Sequence, residues 1–134
     1  MSREVIYPPL DAILDAHETL LERYGGAAGV RNPGGVEAAL ARAQQIEAYA
    51  EGEVTIFALA AAIGFGFARI HHPFVDGNKR VAFYATFATL WMNGWRLDVA
   101  EHEAAEMVER VAQGTVAEDT FSAWLRLNSV PKDG

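Results

Sequence analysis

Cysteine is absent from this chain of 134 residues. Without it there is no disulfide framework, no thiol nucleophile and no zinc site built on cysteine ligands. A chain without disulfides suits a reducing compartment but does not require one. The composition, with 51% hydrophobic and 22% charged residues, is that of a globular protein and excludes general disorder. At this length, one domain over residues 1–134 is the simplest organisation.

Long hydrophobic runs are also missing. The longest, residues 56–68, falls well short of the roughly 20 residues that span a bilayer. The first residues, MSREVIYPPL, carry charges and a proline pair where a secretory signal needs a continuous apolar stretch. We therefore expect a soluble cytoplasmic protein with no membrane partner.

Positive charge is scarce, with 11 lysines and arginines against 18 acidic residues and a net charge of −7. A chain this acidic is not expected to bind nucleic acid over a broad face. Three of the cations, however, lie within residues 69–80, where Asp76 is the only acidic residue: they are Arg69, Lys79 and Arg80. This local excess favours a small basic pocket that receives a phosphorylated small molecule.

No segment alternates apolar and polar residues well enough to predict a strand, although WRLDV and GEVTI could each form a short extended piece. Apolar residues instead recur at intervals of three and four, which indicates an all-α fold. We predict six helices, at about residues 8–24, 36–48, 56–70, 79–93, 98–113 and 115–128. Thr55 is the candidate cap of the third helix, and Asp98 and Thr115 open apparent capping boxes for the last two.

The third and fourth predicted helices are apolar on nearly every face, as expected of two buried helices at the centre of the fold. Residues 71–78, HHPFVDGN, join them. A loop held at both ends by core helices suits a site whose atoms must stay in register. A glycine-rich stretch after the first helix, GGAAGVRNPGG, lacks the lysine-terminated spacing of a P-loop, so we interpret it as a connector.

The start of the fourth predicted helix has the features of an anion site. Its first N–H groups have no intrahelical partners, and Gly77 leaves the backbone open to a ligand. Lys79 and Arg80 add full positive charge, although cations are locally unfavourable at a helix N-terminus. Phosphate is the anion that this arrangement favours, because arginine can hold it through two parallel hydrogen bonds.

Several side chains of the loop have both a structural and a chemical interpretation. Asp76 is either a helix cap or an ion-pair partner of Arg80, or it is a carboxylate ligand of Mg²⁺. Asn78 either caps the helix or orients a phosphate. Histidine is the side chain that titrates near neutral pH, so His72 is the natural general base for a hydroxyl nucleophile. Phe74 is expected to anchor the loop in the core.

Residues 72–80, HPFVDGNKR, resemble the signature of the Fic/Doc superfamily, His-Pro-Phe-x-(Asp/Glu)-Gly-Asn-(Gly/Lys)-Arg, at every specified position. The segment HETLLERYGGAAGVRNPGGVEAALARAQ is similar to the amino-terminal part of Doc-type proteins. The resemblance thus covers nearly the whole chain. It implies a Fic/Doc-like helical bundle in which two central helices flank the active-site loop.

The resemblance also implies a role for each residue of the motif. His72 would act as the base on a target hydroxyl, and Asp76 would hold Mg²⁺ on the phosphates of ATP. Gly77, Asn78 and Arg80 would bind those phosphates.

Lys79 stands where nucleotidyl-transferring Fic proteins carry glycine and Doc-type proteins carry lysine. The resemblance therefore implies a Doc-type toxin that transfers the terminal phosphoryl group of ATP to a protein hydroxyl. By the same resemblance the target would be a threonine of elongation factor Tu, and its modification would arrest translation. Two alternatives stay open: an AMP transferase that tolerates Lys79, and a module that binds a nucleotide or a partner without any transfer.

Many Fic proteins silence themselves with an inhibitory helix of pattern (Ser/Thr)-x-x-x-Glu-(Gly/Asn). The only Glu-Gly pair here, Glu51-Gly52, has Glu47 four residues before it, so no internal inhibitor is predicted. The resemblance implies a separate antitoxin protein as a partner.

Three further features have weaker interpretations. Arg69 either reaches phosphate or is a solvated or ion-paired arginine. Residues 48–55, AYAEGEVT, are the candidate for the flap that docks the target segment in related proteins. His102 and Glu106 share one helical face, but without a third ligand we interpret that face as solvated and acidic.

Overall fold

Six helices make up most of the fold in a computed structural model that describes residues 4–133. They are α1 (Leu10–Tyr24), α2 (Pro33–Tyr49), α3 (Ile56–Phe65), α4 (Asn78–Met92), α5 (Glu101–Gln113) and α6 (Glu118–Leu127). A π-helical turn, Gly66–Ile70, prolongs α3. Two short strands, β1 (Trp95–Leu97) and β2 (Ser129–Pro131), pair antiparallel. The prediction of an all-α fold with six helices is confirmed.

The hydrophobic core draws on all six helices and has α3 at its centre. Residues 59–64 of α3 are all buried, as the sequence predicts for a central helix. Gly64 lets α4 approach closely, because a Cβ atom at this position would collide with the Thr86 side chain. The Oγ1 atoms of Thr86 and Thr89 donate to the carbonyls of Ala82 and Ala85, so these buried hydroxyls are satisfied within α4.

Helix α4 is buried on one face only, which corrects the prediction that nearly all of it would be covered. Ala85 and Leu90 face the core. On another face the rings of Phe83, Phe87 and Trp91 stack in a row, with centroids 6.5 and 6.0 Å apart, and Trp91 is 42% exposed. Residues four apart lie on one side of a helix. Aromatic residues on both sides of a helix therefore do not show that both sides are buried.

The observed helix bounds lie within a few residues of the predicted ones, with two informative differences. Helix α2 begins at Pro33, earlier than the predicted start at residue 36, because proline fits the first helical turn. The predicted third helix is a regular α-helix only to Phe65, where the π-helical turn follows. Thr55 caps α3 as predicted, by accepting the N–H of Ala58 at 3.1 Å.

The two predicted capping boxes are wrong. Helices α5 and α6 begin at Glu101 and Glu118, and neither has a side-chain cap. The proposed box residues, Asp98 and Thr115, lie before the true N-cap positions and do not reach the first helical N–H groups. Acidic side chains in the first turns stabilise both starts instead, since they lie at the positive end of the helix dipole.

Of the two candidate extended pieces, only WRLDV forms a strand. Its residues Trp95–Leu97 pair with Ser129–Pro131, and Trp95 packs edge-on against Phe57 with centroids 5.0 Å apart. GEVTI finds no strand partner within residues 4–133, and its last residue already belongs to α3. In that same range, none of the helices combines the length and the apolar character that crossing a membrane requires.

Candidate active site

The motif loop (residues 71–77) runs from the π-helical turn to the start of α4. A second segment, residues 25–32 between α1 and α2, lies along it, and we call this segment the glycine loop. The carbonyl of Pro73 accepts the N–H groups of Arg31 and Asn32 at 2.8 and 2.9 Å, and the N–H of Val75 donates to the Gly29 carbonyl at 3.0 Å. The glycine loop is therefore more than the connector that the sequence predicts, because it forms one wall of the site.

Phe74 fixes the middle of the motif loop. Its ring is fully buried, stacks on His17 of α1 with centroids 3.8 Å apart, and lies 6.4 Å from the ring of Phe67. His17 is only 4% exposed, and its Nε2 donates to the carbonyl of Asp76 at 2.8 Å. The loop is thus held to α1 through two stacked rings and one hydrogen bond.

Asn78 ties the motif loop to itself. Its Oδ1 accepts the N–H of Phe74 and its Nδ2 donates to the carbonyl of Phe74, both at 2.9 Å. The same Nδ2 lies 3.2 Å from Nδ1 of His72, and the Asn78 residue is only 3% exposed. The Asn78 side chain is therefore committed to the loop. Only its backbone N–H, at the start of α4, remains as a contact for the phosphate that the sequence assigns to this residue.

His72 carries the most unusual backbone of the motif loop. Outside glycine it is the only residue of the described range with a positive φ, at +44°. That left-handed conformation costs on the order of 1 kcal/mol and is common mainly for Asn, Asp and His among non-glycine residues. Arg31 holds the residue there: its Nη2 lies 3.0 Å from Nδ1 and 3.4 Å from the carbonyl oxygen of His72.

Asp76 presents an exposed and ionised carboxylate. Its Oδ1 accepts the N–H of Gly77 at 2.8 Å, and its Oδ2 accepts the N–H of Ala27 in the glycine loop at 3.2 Å. These two backbone hydrogen bonds are the main reason why the pKa of Asp76 lies below its ordinary value, with smaller contributions from Arg80 and His17. Gly77 rather than Asp76 occupies the N-cap position of α4, and no ion pair joins Asp76 to Arg80 within residues 4–133.

The Asp76 carboxylate fits a magnesium ion that is also held by phosphate. Each oxygen accepts one hydrogen bond and keeps lone-pair capacity for a cation. The part of the chain that the structure describes contains no group of three or more His, Asp or Glu side chains able to hold a metal. Mg²⁺ commonly takes one or two carboxylates and completes its shell with phosphate oxygens and water. Asp76 would supply the carboxylate here.

The start of α4 is free to receive an anion. Gly77, with φ at +85°, turns the chain into the helix, and the first bond of the helix runs from the N–H of Val81 to the carbonyl of Gly77 at 3.0 Å. The backbone N–H groups of residues 78–80 have no acceptor among the described residues. The guanidinium of Arg80 lies beside them, 4.9 Å from the centre of the Tyr24 ring and 3.3 Å from the Gly25 carbonyl.

Lys79 is paired with a residue that the sequence analysis does not include in the site. Its Nζ donates to Oε2 of Glu109 on α5 at 2.6 Å, and both side chains are about half exposed. The hydrogen bond from Lys79 is the main cause that lowers the pKa of Glu109, and the Nε2 of Gln113 donates to the other carboxylate oxygen. A phosphate that reaches Lys79 must therefore compete with Glu109 for the ammonium group.

Two polar cavities adjoin at Lys79 and His72. One, of about 590 Å³, is lined by Arg69, His72, Lys79, Glu109 and their neighbours. The other, of about 580 Å³, lies between the glycine loop and the helix start and is lined by residues 24–26, 72 and 75–80. A third cavity, of about 450 Å³ and more apolar, extends from Lys79 along the aromatic row of α4. A ligand in either polar cavity would lie against the imidazole of His72.

Four further features of the sequence can be located in the structure: Arg69, His71, the candidate flap, and the pair His102 and Glu106. The guanidinium of Arg69 lies against Gly114 and lines the first polar cavity, without a hydrogen bond or ion pair to the described residues. His71 is half-buried, and burial is the main cause that lowers its pKa, followed by the charge of Arg42. Residues 50–55 of the candidate flap are exposed except for Val54, which packs against the core, and they line none of the three cavities. His102 and Glu106 are exposed on α5.

Sequence reasoning misses Arg31, Glu109 and the hydrogen bond from His17 to the motif loop. Arg31 lies in a stretch whose composition signals only turns, and Glu109 is one of several acidic residues on α5. For His17 a weak signal exists, since it falls on the apolar stripe of the first helix where a polar residue needs a partner.

Comparison with known proteins agrees with this geometry. The family model described as the Fic/DOC family matches residues 7–90, which include the glycine loop, the motif loop and most of α4. The protein named Protein kinase doc, from Escherichia phage P1, is 30% identical over 116 residues, which is 87% of this chain and 90% of the relative. Toxin Doc from Mycolicibacterium smegmatis is 34% identical over 104 residues, which is 76% of this chain and 79% of the relative.

The matched residues span well over half of the chain, and both relatives are covered along most of their length. This chain belongs to the Fic/DOC family. Both relatives carry the name Doc, so within the family the chain is of the Doc type.

Proposed function

We propose that this protein is a Doc-type toxin that transfers the terminal phosphoryl group of ATP to a hydroxyl group of a target protein. One observation carries the proposal. A candidate base, an ionised carboxylate and a helix start with unpaired N–H groups line one polar cavity, which lies between the glycine loop and α4. Phosphoryl transfer requires mainly positioning and electrostatic stabilisation, and this arrangement provides both.

In this proposal ATP supplies the phosphoryl group, and Asp76 would hold a Mg²⁺ ion that would neutralise part of the phosphate charge. The helix-start N–H groups and Arg80 hold the phosphates. His72 accepts the proton of the target hydroxyl while its oxygen forms the new bond to the terminal phosphorus. The bond between that phosphorus and the bridging oxygen breaks, ADP leaves, and His72 returns the proton to water.

Lys79 is the residue that favours phosphoryl transfer over AMP transfer. Its side chain occupies space that glycine would leave open, and it lines the same two cavities as the base, where a transferring phosphoryl group would develop negative charge. The relative from phage P1 is itself named a protein kinase, which supports the same assignment.

We propose elongation factor Tu as the target, through one of its threonines, and a cytoplasmic site of action in which translation is arrested. The target and the arrest of translation follow from the family resemblance. We propose a separate antitoxin protein as the restraining partner for the same reason, because the sequence contains no inhibitory helix of the Fic pattern.

The test uses ATP labelled separately on the α- and γ-phosphates, incubated with the purified protein, Mg²⁺ and either a bacterial extract or purified elongation factor Tu. Protein label from γ alone supports the proposal. Label from α identifies an AMP transferase, and the absence of both labels indicates a binding module. Label from γ in the extract but not in elongation factor Tu would support the kinase activity and contradict the proposed target.

The matched control compares His72→Ala with His71→Ala. The two histidines are adjacent, but only His72 lines the polar cavities. We expect loss of γ-label in the first variant and its retention in the second. Equal activity of the two variants would contradict the role of His72 as the base.

A further inference from the structure

The hydrogen bonds around His72 determine which ring nitrogen carries the proton. The N–H of Phe74 can only donate, so the atom of Asn78 that accepts from it is the amide oxygen. The other amide atom, which faces Nδ1 of His72, is therefore the NH₂ group. The guanidinium of Arg31, at 3.0 Å from the same Nδ1, also has donors only. Nδ1 accordingly holds the lone pair, and the proton of the neutral imidazole is on Nε2.

This arrangement prevents His72 from acting as a base while it lasts. The lone pair on Nδ1 is covered by two donors, and Nε2 has no lone pair to offer. The opposite tautomer would place an N–H against the donors of both Arg31 and Asn78, which is unfavourable. Nδ1 has a single lone pair, so a proton from a target hydroxyl can reach the ring only after Nδ1 is free of both donors.

Arg31 is the donor that can leave. Asn78 is 3% exposed and bound at both amide atoms to Phe74, so its withdrawal would break the motif loop. Arg31 is exposed on the glycine loop, and its backbone N–H keeps the bond to the carbonyl of Pro73 wherever the side chain goes. The pairing of the two loops therefore does not depend on the guanidinium.

We propose that Arg31 is a positioning residue that holds His72 in the Nε2–H tautomer and covers its Nδ1 in the resting protein. Withdrawal of the guanidinium leaves the exposed imidazole free to turn its Nδ1 away from the Asn78 NH₂ group, and Nδ1 is then the atom that accepts the hydroxyl proton. The role of Nδ1 in transfer rests on the proposed function, whereas the tautomer and the covered lone pair do not.

The experiment measures the rate at which diethyl pyrocarbonate modifies each histidine, with no nucleotide or target present. The reagent attacks the unprotonated ring nitrogen, and fragmentation of the peptide that contains both His71 and His72 separates their signals by mass. His72 and His102 are both exposed, but we expect His72 in the wild type to react more slowly because its Nδ1 is covered, and we expect Arg31→Ala to accelerate His72 about three- to tenfold. Arg23→Ala, which removes another exposed arginine, should leave the His72 rate unchanged.

His17 serves as an internal control for loosening of the loop. It is buried and stacked on Phe74, so it gains access to the reagent only if the motif loop separates from α1. Acceleration of His72 alone supports the proposal. Equal His72 rates in wild type and Arg31→Ala, or a parallel acceleration of His17, would overturn it.

The second readout is the ¹⁵N spectrum of the imidazole nitrogens in the resting protein. We expect a protonated Nε2 and an unprotonated Nδ1 on His72, and a shift of the Nδ1 resonance in Arg31→Ala. A protonated Nδ1 in the neutral ring would contradict the proposal. Neither readout involves transfer of phosphate, so a protein that proves to be an AMP transferase would leave this test intact.

Discussion

The motif loop and the glycine loop lie side by side and contribute to one site by different chemistry. The motif loop acts through side chains, among them the imidazole of His72 and the carboxylate of Asp76, and the amide of Asn78 at the start of α4 supports it. The glycine loop acts mainly through its backbone: the N–H of Ala27 binds the carboxylate, and the carbonyl of Gly25 accepts from Arg80. Its exception is the guanidinium of Arg31.

The difference shows which half of a site can be predicted from residue types. Side chains with distinctive chemistry at fixed spacing identify the motif loop. Backbone groups are the same for every residue, so a wall built from them leaves only a trace in composition, here a set of glycines that allow positive φ. Substitutions in and around the two loops test how strongly the motif loop depends on side-chain contacts and the glycine loop on backbone contacts.

The largest expected effect concerns a side chain of the motif loop. His72→Asn removes the base but keeps a residue type that tolerates the left-handed backbone at φ +44°. We expect phosphoryl transfer to fall by about 10²- to 10⁴-fold, with an unchanged thermal midpoint. Incorporation of γ-label and thermal unfolding measure the two quantities. Full activity in this variant would contradict the conclusion that the motif loop acts through the side chain of His72.

The second effect is on stability. Asn78→Ala leaves the buried N–H and carbonyl of Phe74 without their partners, which should lower the free energy of unfolding by about 2–4 kcal/mol. The matched control is Asn128→Ala, which loses a single side-chain bond to the Trp124 carbonyl at the end of α6 and should cost about 1 kcal/mol. Urea denaturation measures both. Similar losses would mean that Asn78 is an ordinary helix-end asparagine.

The third effect tests the glycine loop with two neighbouring glycines. Gly26→Ala and Gly25→Ala both strain a positive φ, but a Cβ at Gly26 would lie 2.7 Å from Oδ2 of Asp76, whereas a Cβ at Gly25 would meet open space. We expect both variants to lose about 1–2 kcal/mol of stability. Only Gly26→Ala should weaken Mg²⁺-dependent nucleotide binding, by about tenfold. Calorimetric titration with and without Mg²⁺ distinguishes the two variants, and equal weakening would show that Asp76 is not the cause.

The fourth effect concerns Lys79, the cation near the start of α4 that pairs with Glu109 on α5. Glu109→Gln removes the carboxylate that competes for Lys79, so nucleotide affinity should rise by about two- to fivefold, the modest change expected for an exposed pair. Glu103→Gln on the same helix is the control, since no ion pair includes Glu103 within residues 4–133. A loss of affinity in Glu109→Gln would indicate that the carboxylate contributes to binding.

The smallest effect is the pH dependence of stability through Asp76. The N–H groups of Ala27 and Gly77 hold its pKa below the ordinary value of about 3.9, so the unfolded chain binds this proton more readily than the folded one. The stabilisation is complete above that ordinary value and disappears as the pH falls through the folded value. Wild type should therefore lose thermal midpoint more steeply below about pH 4 than Asp76→Asn. Identical pH profiles would contradict the contribution of the two N–H groups.

The helical fold follows from the sequence to a large extent because its signals are local. Three- and four-residue spacing predicts the first helix and continuous apolar composition the third and fourth, and Thr55 caps α3 as its position indicates. The same local reasoning fails at Asp98 and Thr115, because the capping pattern is short and occurs two residues too early in both places. It also fails for Trp91, since apolar composition does not reveal which face of α4 meets a neighbour.

The candidate site is predictable only where its members are close in sequence. The motif places His72, Asp76 and Lys79 at one turn, and the structure finds them around adjoining cavities. Arg31 and Glu109 come from elements far along the chain, and only tertiary packing brings them to the motif. Their effect is to restrain the base and one cation, which no spacing within the motif indicates.

The π-helical turn at Gly66–Ile70 limits how this site can be moved to another scaffold. A π-turn accommodates one residue more than the α-helical ladder, whereas each residue of an α-helix rotates the chain by about 100°. A graft of the nine-residue signature onto a straight helical hairpin would therefore aim the imidazole in a different direction. A segment moved to another scaffold must therefore begin at Gly66, so that it includes the π-helical turn that orients His72.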